Sequence, residues 1–469
     1  MTLRQAARTL ACIGPHNRVS RRALFQRAAA AAMGTAAWSY WKPALRARAA
    51  AEVKGDDLTI MDIEAHDVMV DYEDWIHYEL QHFYGPTRRT IYVVRTKNGL
   101  VGLGEGGKVA PDVLDHYIGT SPFDHIGDEK SLQLGIAMYD LMGKAAGVPV
   151  CKLFGQRYRK WVNVASWTVS CHPDLMANAV KEFAKRGYTW MKYHLSPFEN
   201  IFDQLDAMQA VAPEGFKLHF DLTMGGTRDH MPDLLEKIAE YPIAGAFEDP
   251  LHEKDIEAYA RLRQRSTLPI LLHHAPLQAS FEVLREAADG YILGHYRIGD
   301  AMRRAGLFGA LEIPFELQNV GGTIMRSMTV HMQAAFKTAT YHFNSDTETW
   351  KSDVVKERLE PINGMIRVPE KRGLGVTLDD EQLQRLKELK LPEKGKWIIK
   401  TTYKNGTTMY NLADPKQSIF MVRPDVRREI PLSYAAPLST KWWDEDGSAE
   451  YRRMFERLGR EGVVLERAN

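Results

Sequence analysis

KLHFDLTMGGTRDHMPDLLEKIAEYPIAGAFEDP, residues 217–250, decides the fold of this chain. It opens on a short apolar strand, KLHFDL, that ends in Asp221. It closes on a second, AGAFEDP, that ends in Glu248. Short apolar runs bounded by turn residues read as buried strands. The same unit recurs on both sides: WVNVASWTV (161–169), YTWMKYH (188–194), PILLHH (269–274), GYILGHY (290–296), IPFELQN (313–319) and ATYHFN (339–344). Helix-patterned runs such as DLMANAVKEFAKRG and DIEAYARLRQR lie between them. Strands alternating with helices imply a parallel sheet, and eight units predict a (β/α) TIM-type barrel over residues 156–355.

The strand ends are where such a barrel carries its chemistry. Here they read Lys192 and His194, Asp221, Glu248, His273 and His274, His295, Gln318 and His342. His194, Asp221, Glu248 and His274 follow one another at steps of 27, 27 and 26 residues, one strand–helix unit each. Seven consecutive strands ending in titratable or amide groups predict one shared site at the barrel mouth. Lys192 and His194 are two apart, so both face the same way. A lysine beside a metal and other cations is expected to have a depressed pKa, and imidazole is poised near neutrality. Either side chain could then take a proton. Asp221 and Glu248 on adjacent strands would repel each other unless a divalent cation lies between them; a plain Glu248–Lys192 salt bridge is the alternative. LPILLHHAPLQ (268–278) raises the matching question of whether its two histidines are packed imidazoles or one arm of that metal site.

These motifs resemble the enolase superfamily, in its mandelate racemase/muconate lactonising branch, over about residues 58–390. GIAMYDLMGKAAGVPVCKLFG (135–155) is similar to the helix and linker leading from that family's capping domain into its barrel. MKYH (191–194) stands where the family has a Lys-x-Lys pair, and FDLTMGG (220–226) and FEDPL (247–251) match the strands bearing its first two metal ligands. The resemblance implies an α+β capping domain from residues 51–155 and 356–392. It also implies α-proton abstraction beside a carboxylate, with a divalent metal stabilising the enolate.

The departures are as informative. The second lysine is His194, and the third metal ligand is expected to be His274 in place of a carboxylate. His295 and Gln318 stand near the positions of the family's Asp–His dyad, and Thr223 replaces an Asn. An imidazole in the shell favours Mn, Fe, Co or Zn over Mg. The resemblance makes Lys192 a group that polarises the metal-bound acceptor, His194 the base and His295 an acid for a departing hydroxyl. His273, Gln318 and His342 are expected to bind substrate. Cap loops select substrate in this branch. Here YEDWIHYELQHFYGPTRR (72–89) offers Trp75, His77 and Tyr84 to a sugar ring, and Arg88 and Arg89 to a carboxylate.

The expected activity is therefore a metal-dependent dehydratase of a sugar acid or related polyhydroxylated substrate. A racemase or epimerase of the same branch, an isomerase or lyase on a neutral keto sugar, and a binding protein that has lost its metal remain open. GLGEGG (102–107) has dinucleotide-fingerprint spacing, but Pro111 follows and no βαβ unit encloses it, so its glycines read as a turn.

The ends of the chain carry further expectations. The first 49 residues hold nine Lys/Arg and no acid, with Arg21 and Arg22 ahead of an alanine-rich run. Residues 1–50 resemble a twin-arginine export signal, which predicts a periplasmic protein. That run is too short for a membrane span. Without those 49 residues the chain has 52 Lys/Arg against 60 Asp/Glu, which excludes a basic nucleic-acid surface. Three cysteines make no disulfide scaffold. Residues 393–469 form a C-terminal extension, with a hairpin expected at Asn405-Gly406 and a terminal helix over STKWWDEDGSAEYRRMFERLGREG. The resemblance also implies a homo-oligomer.

Overall fold

A computed structural model of the chain describes residues 57–467, apart from residues 197, 224–225, 252–254, 274–282, 284, 413–434 and 437. Residues 1–50, where an export signal is expected, and His274 lie outside the described residues.

An antiparallel sheet comes first: β1 (Ile60–Met69), β2 (Arg88–Thr96) and β3 (Val101–Gly106), in that order. Lys97, Asn98 and Gly99 turn β2 into β3, with Gly99 at φ 85°. Between β1 and β2 runs a helix, α1 (Asp74–Tyr84), where the sequence suggested loops. Its Ile76, Leu80 and Phe83 recur at helical spacing and are buried. α2 (Leu132–Ala146) then packs on the sheet. GLGEGG forms β3, not the expected turn. Its glycines let the helix approach: a Cβ on Gly104 would lie 2.3 Å from the Gln133 carbonyl, and one on Gly102 would lie 2.6 Å from that of Ala137. Buried Asp140 of α2 accepts from the backbone N–H of Leu103 at 3.0 Å and of Leu374 at 2.8 Å, tying β3 to the later chain.

All eight strands expected for the barrel are present: β4 (Trp161–Val169), β5 (Trp190–His194), β6 (Lys217–Asp221), β7 (Ala244–Glu248), β8 (Ile270–His273), β9 (Gly290–Gly294), β10 (Phe315–Gln318) and β11 (Phe343–Asn344). Neighbours pair in parallel, and β11 closes on β4 through Phe343–Val164 and Asn344–Ala165. The helix between β4 and β5, α3 (Pro173–Lys185), shows why the sequence folds this way. Pro173 starts it, and Met176, Ala179, Val180 and Phe183 form one buried stripe. α4 (Thr323–Ala335), between β10 and β11, is buried along its whole length. Its N-terminal N–H groups are met from outside: Asp353 accepts from Thr323 at 2.7 Å, and cap residue Glu105 accepts from Gly322 and, at 3.1 Å, from Met325.

Segment 356–392 divides its allegiance. β12 (Met365–Arg367) pairs with barrel strand β4, while α5 (Asp380–Glu388) packs against β1 of the cap. The extension builds its own antiparallel sheet from β13 (Trp397–Tyr403), β14 (Thr408–Leu412), β15 (Leu438–Asp444) and β16 (Val463–Glu466). The Asn405-Gly406 hairpin joins β13 to β14. The expected terminal helix covers only Ala449–Glu461, because STKWWD pairs with β13 as a strand. The extension is pinned to α1: Trp442 Nε1 donates to Glu79 at 2.6 Å, and Asp444 meets His82 at 2.6 Å and the Tyr78 hydroxyl at 2.8 Å. Among the described residues, no helix is long and apolar enough to cross a membrane.

Candidate active site

Parallel pairing sets β5, β6 and β7 in register, so His194 lies beside Asp221 and Asp221 beside Glu248. Period-two alternation turns Lys192, His194, Asp221 and Glu248 to the barrel interior. Lys192 is fully buried. Its Nζ lies 2.5 Å from Glu248 Oε2 and 3.1 Å from Asp221 Oδ2, and it donates to Gln318 Oε1 at 2.6 Å. Burial alone would lower its pKa, but Glu248, Asp221 and Glu316 outweigh that and raise it. Between these carboxylates Lys192 is held as an ammonium. Burial would likewise raise the Glu248 carboxyl, yet Lys192, His219 and His273 hold it well below the ordinary carboxylate range.

His194 differs. Its Nδ1 lies 3.1 Å from Asp221 Oδ2, and Trp167 meets the ring edge-on at 5.7 Å. Burial lowers its pKa, and Lys192 adds to that, against the pull of Asp221. A neutral imidazole therefore stands next to a fixed ammonium. Asp221 is oriented from behind, its Oδ1 accepting from the Thr223 backbone at 2.9 Å.

A cavity of about 410 Å³ opens above these groups. The barrel supplies Trp167, His194, His295 and Gln318, and the cap supplies Tyr72, Tyr84 and Arg89. Arg89 donates to the Val320 carbonyl at 2.8 Å and sits 3.4 Å from Glu105. His295 is exposed into this space at the end of β9, in the left-handed region at φ 57°. Its backbone N–H donates to the Gln318 carbonyl at 2.9 Å. A second cavity of about 340 Å³ shares Arg89, His295 and Val320 and adds Lys130 and Arg297.

The structure thus brings together Lys192, His194, Asp221, Glu248, His295, Gln318 and Tyr84, and it moves four other expected residues. Trp75 packs edge-on against Phe183, at 5.5 Å. His77 sits edge-on to Tyr72, at 6.4 Å. Neither lines the cavity, because α1 turns them away from the mouth. His342 lies a layer deeper, where its Nε2 is 2.9 Å from His219 Nδ1 and Trp190 leans on its ring. His273 turns to Glu248, with its Nδ1 2.9 Å from Oε1. Gly294 makes room for that ring: a Cβ there would lie 2.2 Å from His273 Nε2. Among the described residues, His273 of β8 thus stands beside Glu248, and the expected ligand His274 lies outside them.

Sequence reasoning missed His219 and Glu316. Each sits two residues before a strand-end group, Asp221 and Gln318, so the period of two held the signal. His219 is fully buried, its Nε2 3.0 Å from Glu248 Oε2. Burial, reinforced by Glu248 and Asp221, raises the Glu316 carboxyl well above its ordinary range. Asp249, just past Glu248 at φ 42°, is raised to about 7 by burial and by Glu248, and it accepts from the His273 backbone at 2.9 Å.

Residues 175–382 match the family model described as enolase C-terminal domain-like. Over those residues the chain is similar to the C-terminal barrel domain of the enolase superfamily. D-gluconate dehydratase of Thermoproteus tenax is 23% identical over 308 residues, 58% of this chain and 59% of that protein. D-galactonate dehydratase of Pectobacterium atrosepticum is 26% identical over 269 residues, 52% of this chain and 70% of that protein. The chain thus spans less than two thirds of the first of these relatives. Among solved structures, a Pseudomonas fluorescens enolase with bound magnesium, potassium and tartrate superposes with a TM-score of 0.60 at 17% identity. That match covers 71% of this chain and 93% of the other, and it shows the shared fold.

The family's divalent ion can be tested against these residues. Asp221 and Glu248 already grip a cation, the Lys192 ammonium, and His273 adds an imidazole beside Glu248. This donor set fits a divalent ion at the barrel mouth.

Proposed function

We propose that this chain is a sugar-acid dehydratase that begins by removing the proton next to the substrate's carboxylate. One observation carries the reading. A neutral histidine and a fixed ammonium share strand β5 beside two carboxylates, beneath a cavity lined by Arg89 and Tyr84. The names of the dehydratase relatives support sugar acids as the substrate class.

The roles follow from the contacts. Arg89 and Tyr84 line the cavity from the cap and suit a carboxylate and hydroxyls. His194, which lines the cavity with its Nδ1 3.1 Å from Asp221 Oδ2, takes the α-proton. Lys192, set between Asp221 and Glu248, offers positive charge to the oxygen that becomes the enolate. Gln318 holds the Lys192 ammonium in place and is no base. His295, across the cavity, gives a proton to the departing hydroxyl. A divalent ion held by Asp221, Glu248 and an imidazole at the end of β8 would supply Lewis-acid stabilisation of the developing charge. An imidazole in that shell favours Mn, Fe, Co or Zn over Mg.

The test is a panel of gluconate, galactonate and arabinonate, followed by formation of a 2-keto-3-deoxy acid and by solvent deuterium uptake. Keto-acid formation that stops with chelator and returns with a divalent ion is the expected result. Epimerised acid without keto acid would favour the racemase reading instead. Deuterium uptake and turnover confined to neutral keto sugars would overturn the proposal.

Export rests on Arg21, Arg22 and the acid-free first 49 residues. Cell fractionation should find the protein in the periplasm, and Arg21→Lys with Arg22→Lys should hold it in the cytoplasm. Homo-oligomerisation is proposed on family resemblance alone, and light scattering of the purified protein tests it.

A further inference from the structure

The barrel interior holds a second cluster beneath the mouth. His219 of β6, Glu316 of β10 and His342, just before β11, are all buried. His219 Nδ1 and His342 Nε2 share a hydrogen bond at 2.9 Å, which an ion between them would replace, and Glu316 Oε2 lies 3.6 Å from each. A triangle with these sides has its centre about 2.0 Å from every corner, the usual length of a zinc–imidazole or zinc–carboxylate bond.

The surroundings suit such a centre. Glu316 Oε1 accepts from Asn344 Nδ2, which fixes the carboxylate. Its Oε2 is buried, has no hydrogen-bond partner, and faces the imidazole pair. A carboxylate oxygen left this way in a protein interior is costly unless something positive meets it. The far nitrogen of His219 lies 3.0 Å from Glu248 Oε2. A carboxylate thus stands close to the ring nitrogen that faces away from the centre, as beside many metal-binding histidines. Trp190, with its ring centroid 4.7 Å from that of His342, holds the third ligand in place.

We infer that His219, Glu316 and His342 form a second divalent-cation seat, separate from the one at Asp221 and Glu248. Two nitrogens and one oxygen suit zinc or cobalt and disfavour magnesium, which demands an oxygen shell. The shared Glu248 would couple the seats, since it touches both Lys192 and His219. The inference stands apart from the dehydratase reading, because it concerns ion content whatever the substrate.

The experiment uses the full chain, stripped with chelator and dialysed against cobalt, zinc or magnesium chloride. Metal is counted by mass spectrometry, and cobalt is also followed by its visible absorption. The mouth seat also prefers these ions, so the deep seat is read in Asp221→Asn, which should still bind one equivalent of cobalt or zinc and none of magnesium. Glu316→Gln and His342→Gln should each lose that equivalent and its cobalt band, while Asp221→Asn keeps both. Equal cobalt and magnesium content in Asp221→Asn, or loss of the band there with its retention in Glu316→Gln, would overturn the inference. Should the deep variants fail to fold, crystals of the unaltered chain grown with zinc decide it. An anomalous peak among the three ligand atoms supports the seat, and its absence means that the cluster is a hydrogen-bonded core only.

Discussion

His194 and Lys192 share a strand and a face but not a protonation state, and the difference is set by their neighbours. Lys192 touches two carboxylates and an amide oxygen; His194 lies beside one carboxylate from a partly buried ring. His194→Ala should therefore lower turnover by about 10²–10⁴ while the far-ultraviolet spectrum stays unchanged. Activity within a few-fold of the parent on its true substrate would remove His194 as the base. Lys192→Met makes a different prediction. It leaves Asp221 and Glu248 buried without their shared cation, so stability in urea should fall by about 3–5 kcal/mol. A chain as stable as the parent would mean that something other than Lys192 neutralises the pair.

Two junctions between elements make predictions of their own. Gly104→Ala places a methyl into the Gln133 carbonyl, and neither partner is a flexible side-chain tip. It should cost at least about 1–3 kcal/mol, read as a lower melting temperature, with α2 lifted from β3. At the junction of extension, cap and barrel, burial raises the Glu199 carboxyl to about 8. Folded Glu199 then keeps its proton where the unfolded chain, with a carboxyl near 4.3, has lost it. A raised carboxyl stabilises the fold fully below the unfolded value, and that contribution fades as pH climbs toward about 8. Between pH 5 and 8 this group alone should remove up to about 1.4 kcal/mol per pH unit. Glu199→Gln should flatten that slope, as measured by urea titrations at pH 5.5 and 8. An unchanged slope would place the ionisation elsewhere.

Across the whole molecule, residues distant in sequence complete the site. Arg89 and Tyr84 come from the cap, and α1 carries Tyr84 at its end. The extension braces that helix through Trp442–Glu79 and Asp444–His82. Trp442→Ala should therefore loosen the cap, raising KM more than it lowers kcat and reducing the melting temperature. Unchanged kinetics with a lowered melting temperature would make the brace purely structural.

The amino-acid order alone determined the barrel, because eight apolar runs at a regular step have few other ways to bury their surface. It also located Lys192, His194, Asp221 and Glu248, whose places at strand ends follow from the strand period. It could not show how the cap meets the barrel. α1 turns Trp75 and His77 aside and delivers Tyr84 to the cavity, and that depends on the packing of Ile76, Leu80 and Phe83. Nor could it set the depth of a side chain within the barrel. His342 sits low beside His219 and Glu316 because the stagger of the closed sheet fixes which residues share a layer. Charge states came last of all: Lys192 stays an ammonium because three strands, far apart along the chain, bring carboxylates and an amide around one nitrogen.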